Sequence, residues 1–129
     1  MKLSELDPGL LQRPDIRTGV SDRARALAAR SLADLTPGDI AFCLRQSIAL
    51  KHTVPAALAL LAKNPFVDAG YYAGDLLLSL LHASASHPMS SEQHRELWDI
   101  CSDAAASLKT LQTEVLPEIE AFFRRGTST

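Results

Sequence analysis

Four histidines and two cysteines are the side chains in this sequence best suited to hold a metal, but their spacing does not suit one. His82, His87 and His94 fit neither the i, i+4 pair of a helical zinc site nor a Cys/His finger, and Cys43 and Cys101 both lie away from them. Serines are plentiful, yet no G-x-S-x-G elbow appears. Gly70 and Gly74 follow no strand and form no phosphate-cradling loop. The carboxylates that recur at helical spacing are exposed by pattern, whereas a general acid needs surroundings that tune its pKa. The expectation is a protein without metal, cofactor, small-molecule ligand or enzymatic activity.

Two other groupings suit recognition. Glu92, Glu96, Asp99 and Asp103 follow one another at i, i+4, i+7 and i+11, which puts four carboxylates on one stripe of a helix with only Arg95 near enough to offset them. Like charges at this spacing cost a few tenths of a kcal/mol each. The stripe reads either as a solvated face or as a surface complementary to a basic partner. The second grouping is the loop NPFVDAGYYAGD, with Asp68, Tyr71, Tyr72 and Asp75. One tyrosine ring is expected to pack on the core. The other would face outward as an interface anchor, because tyrosine offers a large contact area with few torsions to freeze.

The elements that must position these groups are helices. Leu76–Leu81 is apolar almost all the way round, so it should be a central core helix, with Leu76, Leu77, Leu80 and Leu81 inaccessible and Asp75 at its N-terminus. Thr36-Pro37-Gly38-Asp39 starts another helix, with Thr36 as N-cap and Pro37 at the first position; Ile40, Cys43, Leu44 and Ile48 share one of its faces. Lys51-His52-Thr53 reads as a short connection to the helix VPAALALLA, which ends before Asn64-Pro65. His82 to Pro88 reads as a small polar linker. Ser90 and Gln93 make a capping box for the longest helix, where apolar residues recur from Leu97 to Phe122 in steps of three and four. Pro117 should kink or divide that helix near Thr113. Ser21-Asp22 caps a helix to about Ser31 whose arginines form a solvated face. Residues 1–20 read as an irregular arm and 126–129 as a frayed tail.

Composition agrees. The chain has 129 residues, 47% of them hydrophobic but only 5% aromatic, and Ala and Leu dominate over β-branched residues, which favours helix over strand. One domain can bury a sizeable core at this length. The net charge of −2 calls for neither nucleic acid nor an anionic membrane, but residues 64–120 carry nine acidic and two basic side chains. Both cysteines fall among apolar neighbours in helices and are expected to be reduced core residues. The first residues have no apolar run of a signal peptide and no segment approaches a membrane span, so the expected location is the cytoplasm.

The order of the pieces between Leu32 and Leu81 resembles the immunity proteins of bacterial contact-dependent growth inhibition systems. The matching residues are Asp34-Leu35-Thr36-Pro37-Gly38-Asp39-Ile40 with Gln46, then Val54-Pro55-Ala56-Ala57-Leu58, Asn64-Pro65-Phe66, and Gly70-Tyr71-Tyr72-Ala73-Gly74-Asp75-Leu76-Leu77. Ala73 replaces the proline usual before the Gly-Asp pair, and Ala49 stands where the family often has glycine. The resemblance implies a protein that binds the toxic C-terminal domain of a large secreted effector and blocks it stoichiometrically. Such toxins are commonly nucleases, whose basic clefts an acidic surface can occupy.

The expected fold is therefore all-α, a single compact helical domain of five or six helices with a central apolar helix and a long, proline-kinked C-terminal helix. Its candidate toxin-binding residues are Asp68, Tyr71, Tyr72, Asp75, Glu92, Glu96, Asp99 and Asp103. The rival is a helical nucleic-acid-binding regulator that uses Arg13, Arg17, Arg23, Arg25 and Arg30. The negative net charge and the lack of a recognition helix speak against it.

Overall fold

A computed structural model describes residues 2–7 and 18–127. The architecture is all-α: α1 (Leu3–Leu6), α2 (Thr18–Ala28), α3 (Pro37–Arg45), α4 (Leu50–Lys63), α5 (Asp75–Ser86) and α6 (Ser91–Thr110) lead through a π-turn (Leu111–Val115) into α7 (Leu116–Thr127). Among the described residues there is no strand, only the isolated bridges Lys2–Ser31 and Asp68–Ala73.

Two helix starts follow directly from sequence chemistry. The Thr36 hydroxyl accepts from the Asp39 N–H at 3.1 Å and the Asp39 carboxylate accepts from the Thr36 N–H at 3.0 Å. Ser90 and Gln93 exchange the same pair of bonds at 3.1 Å each. Both satisfy amide groups that a helix N-terminus otherwise leaves unbonded.

The core has two parts that share α3. Ile40, Ala41 and Leu44 pack with Val54, Leu58 and Leu61 of α4, Leu76, Leu77 and Leu80 of α5, and Leu97, Ile100 and Ala104 of α6. On the other side, Phe42, Cys43 and Ile48 pack with Leu3, Ala24, Leu27 and Ala28. Asp39 to Leu44 are six consecutive buried residues. Helix α3 is thus enclosed on both sides, a position that its one-faced apolar spacing did not suggest. Helix α5 lies against α3 and α4 and buries Leu76, Leu77 and Leu80, but Leu81 is 38% exposed and Leu78 41%. The expectation that Leu81 is inaccessible fails because the flank of α5 that carries it borders an open groove.

Several boundaries move for physical reasons. Leu3 is fully buried and its N–H donates to the Arg30 carbonyl at 2.8 Å, so the start of the chain docks as a helical turn where irregular chain was expected. Residues 8–17 of that expected arm lie outside the described residues, as do residues 128 and 129 of the expected tail. Helix α4 begins at Leu50, so Lys51-His52-Thr53 is helical and the connection is shorter than expected. It turns through Ser47 and Ala49, both in the left-handed region at φ 57° and 48°. Helix α5 likewise continues through much of the expected linker, to Ser86.

Helix α2 and the turn after it dock through charge as well as packing. Arg30 donates to Asp39 at 2.8 Å, Arg23 lies 3.6 Å from the same carboxylate, and Arg23 also stacks over the Phe42 ring at 4.6 Å. Both arginines stay exposed, like Arg25, as a solvated face requires, and their guanidinium groups also brace α3. Arg25 pairs with Asp22, three residues before it.

Candidate functional site

The loop between α4 and α5 is built around Asp75. Its carboxylate is only 4% exposed and accepts from the backbone N–H of Ala69 at 2.6 Å and of Tyr71 at 3.0 Å, with Tyr72 N–H at a longer 3.5 Å. Burial alone would raise this carboxyl, but the amide groups of Ala69, Tyr71, Tyr72 and Leu76 together outweigh it and hold its pKa below the ordinary value. Asp75, a candidate contact from the sequence, is therefore the loop's internal anchor.

Further bonds close the loop. Asn64 caps the Phe66 N–H at 3.0 Å, Asp68 accepts from Gly70 at 2.6 Å, and the Gly74 N–H reaches the Phe66 carbonyl at 3.1 Å. Gly70 and Gly74 adopt φ of 126° and 98°, which a side chain would resist. Helix α3 braces the loop from below. A Cβ on Gly38 would stand 2.7 Å from the Ala69 carbonyl oxygen, so only glycine permits this approach. Arg45 extends from α3 to the Ser79 hydroxyl at 3.3 Å and lies 5.6 Å from the Tyr71 ring centre.

The consequence is a fixed loop that holds both tyrosines outward. Tyr71 is 73% exposed and Tyr72 53%. The expectation that one ring packs on the core fails because Asp75 gathers the amides of both residues, which leaves the side chains on the solvent side. Asp68 is exposed beside them.

Glu92, Glu96, Asp99 and Asp103 are all exposed on α6, and Leu97, Ile100 and Ala104 of the same helix face the core. The other flank of α6 holds a feature the sequence reading missed. A groove of about 620 Å³ separates it from the end of α5, lined by Leu81, Met89, His94, Leu97, Trp98 and Cys101. Trp98 is 67% exposed and stacks with His94, their ring centres 6.3 Å apart. At 100° per residue, Trp98 lies about 100–160° round the helix from Glu96, Asp99 and Asp103. A single tryptophan four residues after a histidine, off both the apolar and the acidic stripes, was the available signal.

The thiols are separate. Cys43 is fully buried, and its pKa is pushed up to about 12, chiefly by burial and then by the Asp39 carboxylate, with Arg23 acting against them. Burial also raises Cys101 at the groove. Both are free. Among the described residues no cluster of His, Cys, Asp and Glu is arranged to hold a metal, and no helix is long and apolar enough to cross a membrane.

The family model of the CDI immunity proteins matches residues 5–97, well over half of the chain. That span contains the anchored loop and the first half of the acidic stripe. Neither a curated protein nor a solved structure is significantly similar to the chain.

Proposed function

From the premise that this chain belongs to the family of CDI immunity proteins, we propose that it binds the toxic domain of its cognate effector in the cytoplasm and blocks it stoichiometrically, without catalytic turnover. The observation that carries this reading is the anchored loop with its two outward tyrosines. A loop frozen before binding loses little further entropy when it docks, and exposed tyrosine is among the side chains that most often anchor interfaces. Asp68 next to these rings and the carboxylates of Glu92, Glu96, Asp99 and Asp103 on α6 suit a basic partner. A nuclease, which must hold a polyanion, has such a surface. The nucleic-acid-binding alternative loses ground because Arg23 and Arg30 are engaged with Asp39.

The two surfaces predict different kinetics. Carboxylates at an interface rim raise the association rate and lose influence as salt shortens the Debye length to about 8 Å near 0.15 M. A tyrosine seated in a partner's pocket acts on dissociation. Surface plasmon resonance against the effector's toxic domain at two salt concentrations should show slower association for the Glu96→Lys/Asp99→Lys variant, and dissociation about 30-fold faster for Tyr72→Ala, the equivalent of ~2 kcal/mol. Unchanged association for the charge reversal would remove the acidic face from the interface. If Tyr72→Ala dissociates at the wild-type rate, the loop is not the anchor.

A further inference from the structure

The last helix outruns the core. None of the described residues after Ala104 is buried, so the apolar stripe that runs from Leu97 to Phe122 leaves the core part-way along. Leu108, Leu111, Val115, Ile119 and Phe122 remain 41–62% exposed. With Leu116 and Phe123, also exposed, they present on the order of 600 Å² of apolar surface, the upper end of what a soluble monomer shows in one patch.

The stripe is symmetric about Val115. Leu111 and Ile119 lie four residues to either side of it, and Leu108 and Phe122 seven. The π-turn Leu111–Val115 matters to this arrangement. A seam that repeats every seven residues is broken by the eight-residue step from Leu111 to Ile119. A turn closed by i→i+5 bonds takes up the extra residue and keeps the stripe on one side.

We propose that this segment pairs antiparallel with the same segment of a second copy of the chain, with the two-fold axis beside Val115. Leu111 of each copy then faces Ile119 of the partner subunit, and Leu108 faces the partner's Phe122. Such an interface is self-complementary, as two-fold symmetry requires. An antiparallel partner alone brings Leu111 onto Ile119 and Leu108 onto Phe122. Lys109, Glu114 and Glu120 lie about 100–140° round the helix from Val115, off the seam. The seam is smaller than the ~800 Å² per partner of a standard interface, so the pairing is a weak, concentration-dependent one. None of Tyr71, Tyr72, Glu92 and Glu96 belongs to the seam, which begins at Leu108.

Sedimentation of the full chain without any toxin, up to about 100 µM, should show a concentration-dependent doubling of mass. Val115→Glu should abolish the doubling while circular dichroism stays unchanged, since the site is exposed. Oxidative cross-linking reads the direction. An equimolar mixture of Leu111→Cys and Ile119→Cys should form a disulfide dimer, whereas neither variant should do so alone. Wild-type protein that stays monomeric throughout overturns the proposal, and so does self-cross-linking of Leu111→Cys, which would mean parallel helices. A monomeric wild type that loses toxin affinity on Val115→Glu would assign the seam to the toxin. Because the mass is measured without toxin, a failure here leaves the toxin-binding reading standing.

Discussion

Asp75 shows how one side chain serves a surface without touching a partner. Its buried carboxylate organises the amides from Ala69 to Leu76, and the tyrosines are outward as a result. Asp75→Ala should cost about 2–4 kcal/mol in chemical denaturation, since charge-assisted bonds are lost and amides are left without an acceptor. It should also weaken toxin binding through the loop. A carboxyl held below its ordinary pKa favours the folded state while ionised. This stability is fully present above about pH 4, the ordinary carboxylate range, and is lost as pH falls through the lowered folded value. Asp75→Asn should therefore flatten the acid limb of the stability curve, as thermal melts between about pH 5 and pH 2 would read.

At the scale of elements, the connection from α3 to α4 turns on a residue that geometry does not favour. Ala49 sits at φ 48°, donates its N–H to Asp7 at 3.0 Å and has its carbonyl taken by Thr53. A left-handed alanine costs roughly 1 kcal/mol. Ala49→Gly exchanges relief of that strain for a lost buried methyl and a freer unfolded chain, and should change stability by less than about 1 kcal/mol. Ala49→Val adds a β-branch where none is tolerated and should destabilise by more than about 2 kcal/mol. Urea denaturation of the pair checks both. The bond that the Ala49 N–H donates to Asp7 and the ion pairs of Arg23 and Arg30 with Asp39 bring the first helices onto α3 and the turn after it, a long-range convergence that local periodicity does not encode.

For the whole molecule, α3 is the shared wall of both core clusters, and neighbouring residues of α5 meet different fates against it. Leu80→Ala should cost ~2–5 kcal/mol as a cavity in the core. Leu81→Ala, at the groove, should cost under about 1 kcal/mol. Equal losses in equilibrium unfolding would mean that the groove is closed in solution.

What the sequence by itself determined is what local chemistry dictates. The capping boxes at Thr36 and Ser90, the all-α class, the start of α5 at Asp75 and the acidic stripe on α6 all depend on residues within a few positions of one another. The ordered pieces from Leu32 to Leu81 were enough to place the chain beside the immunity proteins. Only the tertiary structure decided what depends on distant neighbours. A run of leucines does not say that Leu81 borders a groove, nor a Tyr-Tyr pair that both rings are turned out by a carboxylate three and four residues on. The stripe from Leu97 to Phe122 is one pattern in sequence, yet it is core up to Ala104 and surface beyond it. Periodicity records which face of a helix is apolar, but the length of the helices packed beneath it sets how much of that face is covered.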